Sequence, residues 1–244
     1  MTRAPVPDLA RGERRLEGAA AHYLGRVLRL RAGDTFVAFD PASSREADAT
    51  VVWADADAVT VRFADPRAGA VRATREITWI QGLAKGDKCD AIVRDATELG
   101  ATRFVVAITR RAVVKLDAER ARARQARWAR IAQEAARQCG RSDAPRVDAP
   151  CAWADAIARV DDGAARFCLW EQASVPLAPV LFEALAGAAP LAFACGPEGG
   201  LETSEVDLAR ERGWTVVSIG PFALRTETVA AAVLGALRIC ESLF

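Results

Sequence analysis

The sequence predicts an α/β protein in two parts, a small β-barrel followed by an α/β domain built on a mostly parallel sheet. Three observations predict it. Short β-branched and aromatic runs, separated by turn residues, fill roughly the first seventy positions. Beyond them, apolar strand-like runs alternate with segments of helical period. No run of about 18 uninterrupted apolar residues occurs, and the opening MTRAPVPDLARGERR has no apolar core of a leader, so neither a membrane span nor a secretory signal is expected. At 244 residues the chain is long enough for one large or two modest domains.

Taken in order, Thr35 to Phe39, Thr50 to Trp53 and Val59 to Phe63 read as short strands, punctuated by Gly33-Asp34, by Asp40 to Ser44 and by Asp65-Pro66. Such spacing suggests a barrel. The pattern changes between Arg67 and Arg75, which divides the chain into 1–72 and 73–244. Ile77 to Leu83 is then a strand. Asp87 caps a helix with Cys89, Ile92, Val93, Ala96 and Leu99 on its buried face, and Gly100 ends it. Arg103 to Ile108 is the next strand, completing a βαβ unit. Asp117 caps a long helix reaching about Cys139. Trp128, Ile131, Ala132, Ala135 and Cys139 share one face of that helix; Arg127, Arg130 and Arg137 share the other. Phe167 to Trp170, Pro190 to Cys195 and Trp214 to Ile219 are later strands, and a last helix runs from about Thr226 to Cys240.

The net charge of +1 conceals segregation. Residues 1–31 carry seven arginines against three acids, and residues 110–146 carry eleven cations against four acids. Concentrated positive charge on a nearly neutral chain points to an anionic partner, nucleic acid first; a solvated helix face is the plainer alternative. Arg26 and Arg29 in the first segment, and Arg127, Arg130 and Arg141 in the second, are the candidate RNA ligands. Six cysteines (89, 139, 151, 168, 195 and 240) form no C-x-x-C pair, and His22 is the single histidine. A metal site is therefore not expected, and the cysteines read as reduced core residues of a cytoplasmic protein.

Three loops follow three strand ends: Trp170 to Ser174, Gly196-Pro197-Glu198-Gly199-Gly200, and Gly220 to Thr228. Open α/β sheets bind ligands beyond the carboxyl ends of their strands, and glycines there let backbone approach a ligand. Neither G-x-G-x-x-G after a strand nor G-x-x-x-x-G-K-[ST] is present, which argues against an ordinary dinucleotide or P-loop site. Taken alone, GPEGG is also simply a turn.

Together the loops say more. The stretch ACGPEGGLETSEVDLARERGWTVVSIGPFALRTETVAAAVLGAL resembles the C-terminal signature of the bacterial 16S rRNA (uracil-N3) methyltransferase family, within the SPOUT superfamily of knotted methyltransferases. GLAKGDKCDAIVRDATELGATRFV, ERARARQARWARIAQEAARQCGR and HYLGRVLRLRAGD match in the family's order, so the resemblance covers most of the chain. It implies a PUA-like RNA-binding barrel, a SPOUT domain with a trefoil knot, S-adenosylmethionine as methyl donor, and a homodimer through the knot region. It implies that Leu169, Trp170, Glu171, Gly196, Pro197, Glu198, Gly199, Gly200, Ile219, Gly220, Pro221 and Leu224 line the donor pocket, with Arg225, Thr226 and Glu227 at its mouth. The acceptor would be a uridine of small-subunit rRNA, naked or in the assembled subunit.

Uracil N3–H is a weak acid, so methylation there needs proton removal and stabilisation of the resulting charge. Arg225 can donate to the uracil oxygens or to a phosphate, and Glu227 or Glu198 can serve as base. The plainer reading of Glu227 is a first-turn carboxylate favouring a helix N-terminus. Two further readings remain: a knotted methyltransferase acting on another RNA, and a non-catalytic RNA-binding or ribosome-assembly factor. The family usually has Lys at the position of Asp95 and Glu at that of Arg137. The reversed signs suggest an ion pair between Asp95 and Arg137, within or between subunits.

Overall fold

A computed structural model describes residues 2–55, 57–114, 116–241 and 243. It divides into two compact units. One holds residues 1–72 together with 133–144, and the other holds 73–132 with 145–244.

The first unit is a six-stranded, mainly antiparallel sheet. Its strands are β1 (Arg3–Pro5), β2 (Gly12–Glu17), β3 (Thr35–Asp40), β4 (Arg45–Ala54), β5 (Ala58–Phe63) and β6 (Arg67–Ala68), in the order β1-β3-β4-β5-β2, with β6 paired to β4. A short helix α1 (Gly18–His22) and a π-helical turn (Tyr23–Val27) lie between β2 and β3. Alternate residues Phe36 and Ala38 of β3, Ala49 and Val51 of β4, and Val59, Val61 and Phe63 of β5 meet in one core with Leu16 and Leu24. β2, GERRLE, buries only Leu16, and its register against β5 holds it in the sheet. Residues 133–144 join this unit through a buried polar knot. The Ser142 amide donates to Val71 O (2.8 Å), its hydroxyl to Glu46 Oε2 (2.9 Å), and Arg3 Nη2 to Ser142 Oγ (2.9 Å).

In the second unit β7 (Ile77–Gly82), β8 (Arg103–Ile108), β9 (Arg146–Val147), β10 (Cys151–Ala152), β11 (Ala165–Leu169), β12 (Leu191–Cys195) and β13 (Thr215–Val217) form one parallel sheet. Its order is β10-β8-β7-β12-β11-β13, with β9 on β8. Both faces are covered, so strands such as LAFAC in β12 are apolar throughout and buried at every position. Leu191, Phe193 and Cys195 turn to the side of helices α2 (Lys88–Glu98), α3 (Ala118–Gln138), α5 (Leu177–Leu185) and α7 (Thr226–Glu241). Ala192 and Ala194 turn to the side of α4 (Trp153–Ala158) and α6 (Thr203–Glu211). Gly100 follows α2 at φ +91°, and Arg238 Nε of α7 donates to Leu99 O (2.7 Å), satisfying a carbonyl at the helix end. The amide of Arg120 donates to Asp117 Oδ1 (2.8 Å), which caps α3.

One expectation here needs correction. Cys139 is exposed, because the apolar stripe of α3 closes on Ala135 and Ala136 one turn earlier. Asp95 and Arg137, expected to pair within or between subunits, each have a partner inside their own unit. Asp95 takes its neighbour Arg94 (2.8 Å), and the Arg137 guanidinium lies 5.3 Å from the centroid of the Tyr23 ring. No helix among the described residues is long and apolar enough to cross a membrane.

Candidate methyl-donor site

The strand order turns at the junction of β7 and β12, and the loops leaving β11, β12 and β13 converge beyond the carboxyl ends of the strands there. They enclose a cavity of about 500 Å³. Its wall carries Leu169, Trp170 and Glu171 after β11, Gly196 to Leu201 after β12, Ile219 and Gly220 after β13, and Phe222 to Thr226 leading into α7. Pro221 departs from expectation: it is exposed and is not part of this wall, although Gly220 and Phe222 on either side are. Lys88, Cys195, Leu201 and Val229 also belong to the wall; they lie inside the matched stretches but are absent from the expected lining.

Glycine is required here for closeness of backbone. A Cβ on Gly196 would stand 2.9 Å from Gly200 C, and one on Gly82, at the end of β7, 2.5 Å from the Pro197 ring. Gly200 in addition has φ +70°. Beneath this turn lies Gln81, fully buried and absent from the sequence-based candidates. Its amide nitrogen is shared among Gly82 O (3.1 Å), Gly196 O (3.1 Å) and Thr226 Oγ1 (2.9 Å), while Trp79 Nε1 donates to its oxygen (3.2 Å). Thr226 Oγ1 in turn donates to Gly196 O (2.8 Å). One side chain thus ties the end of β7, the GPEGG turn and the start of α7 together, with each buried polar group satisfied.

The mouth is ionic. Lys88 Nζ stands 3.2 Å from Glu198 Oε1 and 3.3 Å from Glu227 Oε2. Burial works to raise the Glu198 carboxyl, but its own backbone amide, the Lys85 amide (3.0 Å) and Lys88 outweigh it and bring the group below its ordinary range. The Glu227 carboxyl is lowered by its own backbone amide first, against a smaller effect of burial, and then by Lys88 and Arg225. Lys88 is held above the usual range, by Glu198 foremost. Both candidate bases are therefore ionised and weakly basic. Burial pushes the Cys195 thiol up to about 12, so the wall offers no thiolate nucleophile. Trp170 Nε1 is buried with no hydrogen-bond partner among the described residues, and Arg210 lies over the Trp170 ring. Arg225 is exposed on the wall.

The candidate RNA ligands fare unequally. Arg26 and Arg29 are exposed, Arg29 in the left-handed region at φ +56° directly after the π-helical turn, and Arg130 is exposed on α3. Arg127 is exposed but paired with Asp90 (2.6 Å). Arg141 overturns the expectation for it: it is 4% exposed and forks onto Asp143 (2.6 Å), out of reach of a phosphate at the surface.

Fold and site together define an RNA methyltransferase class of protein. The family model described as RNA methyltransferase domain matches residues 72–238, and the one described as RNA methyltransferase PUA domain matches 16–64. Ribosomal RNA small subunit methyltransferase E of Bacillus subtilis is 30% identical over 226 residues, covering 91% of this chain and 88% of that protein. Its counterpart in Mycobacterium bovis is 31% identical, covering 93% and 86%. The crystal structure of a ribosomal RNA small subunit methyltransferase E from Neisseria gonorrhoeae bound to S-adenosyl methionine superposes with TM-score 0.89 at 26% identity, covering 98% and 97%. A putative methyltransferase of Legionella pneumophila in complex with the same cofactor gives 0.83 at 25%, covering 98% of both chains. The chain belongs to the ribosomal RNA small subunit methyltransferase E family.

Proposed function

We propose that this protein transfers the methyl group of S-adenosylmethionine to N3 of a uridine in small-subunit ribosomal RNA. The observation that carries the reading is the cavity beyond β7, β11, β12 and β13, walled by glycine backbone and ringed by ionised groups. Its residues fit the donor. The close turn at Gly196 and Gly200 admits a ligand to the backbone, and Trp170 Nε1 is a buried donor lacking an acceptor. When bound there, the cofactor supplies an electrophilic methyl group on a sulfonium.

The chain's own residues do the rest. Arg225, on the wall and open to solvent, donates toward the uracil oxygens that gain charge as N3 loses its proton. Glu198 and Glu227 are the ionised acceptors at the mouth for that proton. The N3 edge is the base-pairing edge, so the acceptor enters unpaired or flipped out. Arg26, Arg29 and Arg130 are exposed guanidiniums suited to phosphate. A homodimer through the trefoil-knot region completes the reading.

Mass spectrometry of nucleosides after incubation with the cofactor and small-subunit rRNA tests it. N3-methyluridine is expected, and a methyl on another base, or none, overturns it. Calorimetry with the cofactor alone separates a failed donor site from a wrong acceptor.

A further inference from the structure

Lys88 stands where a cation is least expected. It is the first residue of α2, beside the positive end of that helix, where negative charge is favoured and positive charge is not. What offsets this lies outside the helix. Glu198 reaches Lys88 from the turn after β12 and Glu227 from the first turn of α7, each within ion-pair distance of the one ammonium. The side chain is one-third exposed, so the bridge is not a buried structural tie whose loss would unfold the protein. It lies on the wall of the cavity, at the mouth where the acceptor base must arrive.

We propose that Lys88 is a positioning residue for methyl transfer, a single ammonium that keeps Glu198 and Glu227 side by side as ionised carboxylates facing the acceptor. This rests on the proposed methyl transfer to a uridine. The other charged or protic neighbours do not replace it. The Lys85 amide serves Glu198 only, and Arg225 precedes Glu227 by two residues and acts on it through space. On α2 itself, Asp90 is occupied by Arg127 and by Trp128 Nε1 (2.9 Å), and Asp87 caps the helix through its backbone position. Glu171 lies on the wall beside Gly200. Without Lys88 the two carboxylates face each other with no cation between them, and like charges so placed raise at least one pKa. The proton leaving N3 passes to a carboxylate oxygen, and a carboxyl already protonated cannot accept it.

The test compares wild type, Lys88→Met and Lys88→Arg as full chains. Carbon-13 NMR titration of the glutamate carboxyls without cofactor or RNA is the first readout. In Lys88→Met, the titration of Glu198 or Glu227 is expected to move up by about one pH unit, and in Lys88→Arg to stay near wild type. The second readout is kcat against pH at saturating cofactor and rRNA. Lys88→Met is expected to lose about tenfold in kcat at neutral pH, where both carboxylates stay ionised but are no longer held side by side, and to lose more in acid as the acid limb moves upward, with KM for RNA and the melting temperature little changed. Carboxyl titrations unmoved in Lys88→Met overturn the proposal, as does a kcat profile identical to wild type. If the titrations move while wild type itself methylates no uridine, the assignment of the reaction has failed and the clamp has not.

Discussion

At the scale of residues, the glycines of the site differ in what they tolerate. A Cβ on Gly82 or Gly196 meets backbone or the Pro197 ring at 2.5 and 2.9 Å, whereas one on Gly199 meets Arg111 Cβ at 3.1 Å. Backbone has nowhere to go, and a side-chain carbon on a surface loop can give. Gly82→Ala and Gly196→Ala are therefore expected to lower cofactor affinity by at least about tenfold, some 1.4 kcal/mol, with Gly199→Ala closer to wild type. Calorimetry beside a thermal melt checks this, and equal affinities for all three would show that the turn does not touch the donor. Gly196 to Gly200 were legible in the sequence because glycine clusters after a strand carry their own reason. Gly82, Gln81 and Lys88 were not. Gln81 sits in ITWIQG, where a single polar residue in an apolar run says nothing of its partners, 115 and 145 residues away. Lys88 reads as an ordinary start of a helix, and its role depends on two carboxylates brought by distant elements.

At the scale of elements, the long helix α3 was legible in its period and its cap, but its arginines were not separable by period. Arg127 and Arg130 share a face, yet Arg127 is spent on Asp90, which also accepts from Trp128. Arg130→Ala is expected to weaken RNA binding and to reduce the slope of log K against log salt by about 0.9. Arg127→Ala is expected to change that slope less and to cost about 0–1 kcal/mol of stability, since the pair is more than half exposed on the arginine side. Slopes measured on the two single variants decide the matter; the reverse order would mean that Asp90 releases Arg127 when RNA binds. Strand β2 shows the opposite limit of sequence reading. GERRLE has no apolar alternation beyond Leu16, and only pairing with β5 makes it a strand.

At the scale of the whole molecule, a boundary drawn along the chain meets residues that fold back. The helix period of α3 runs unbroken from Ala118 to Gln138, so nothing local marks that residues 133–144 pack with the first unit rather than the second. The reason is the polar knot around Glu46, whose side chain is 4% exposed and accepts from both Ser142 and Arg3. Gly69 is needed beside it, since a Cβ there would stand 2.2 Å from Ser142 Cβ. Burial tends to raise the Glu46 carboxyl, but the hydrogen bonds from Ser142 and Arg3 prevail and hold it below the ordinary range. A carboxylate lowered on folding contributes stability that is present above its unfolded value and is lost as pH falls through its folded one. Removing the hydroxyl leaves a buried carboxylate oxygen short of a donor, a loss of about 1–3 kcal/mol. Ser142→Ala is therefore expected to melt a few degrees below wild type at neutral pH, and the gap should narrow as the pH drops through the Glu46 titration. Hydrogen exchange of residues 133–144 should quicken in the variant at neutral pH. A gap that stays constant down to acid pH would mean that Ser142 acts through packing against Gly69, not through the charge of Glu46.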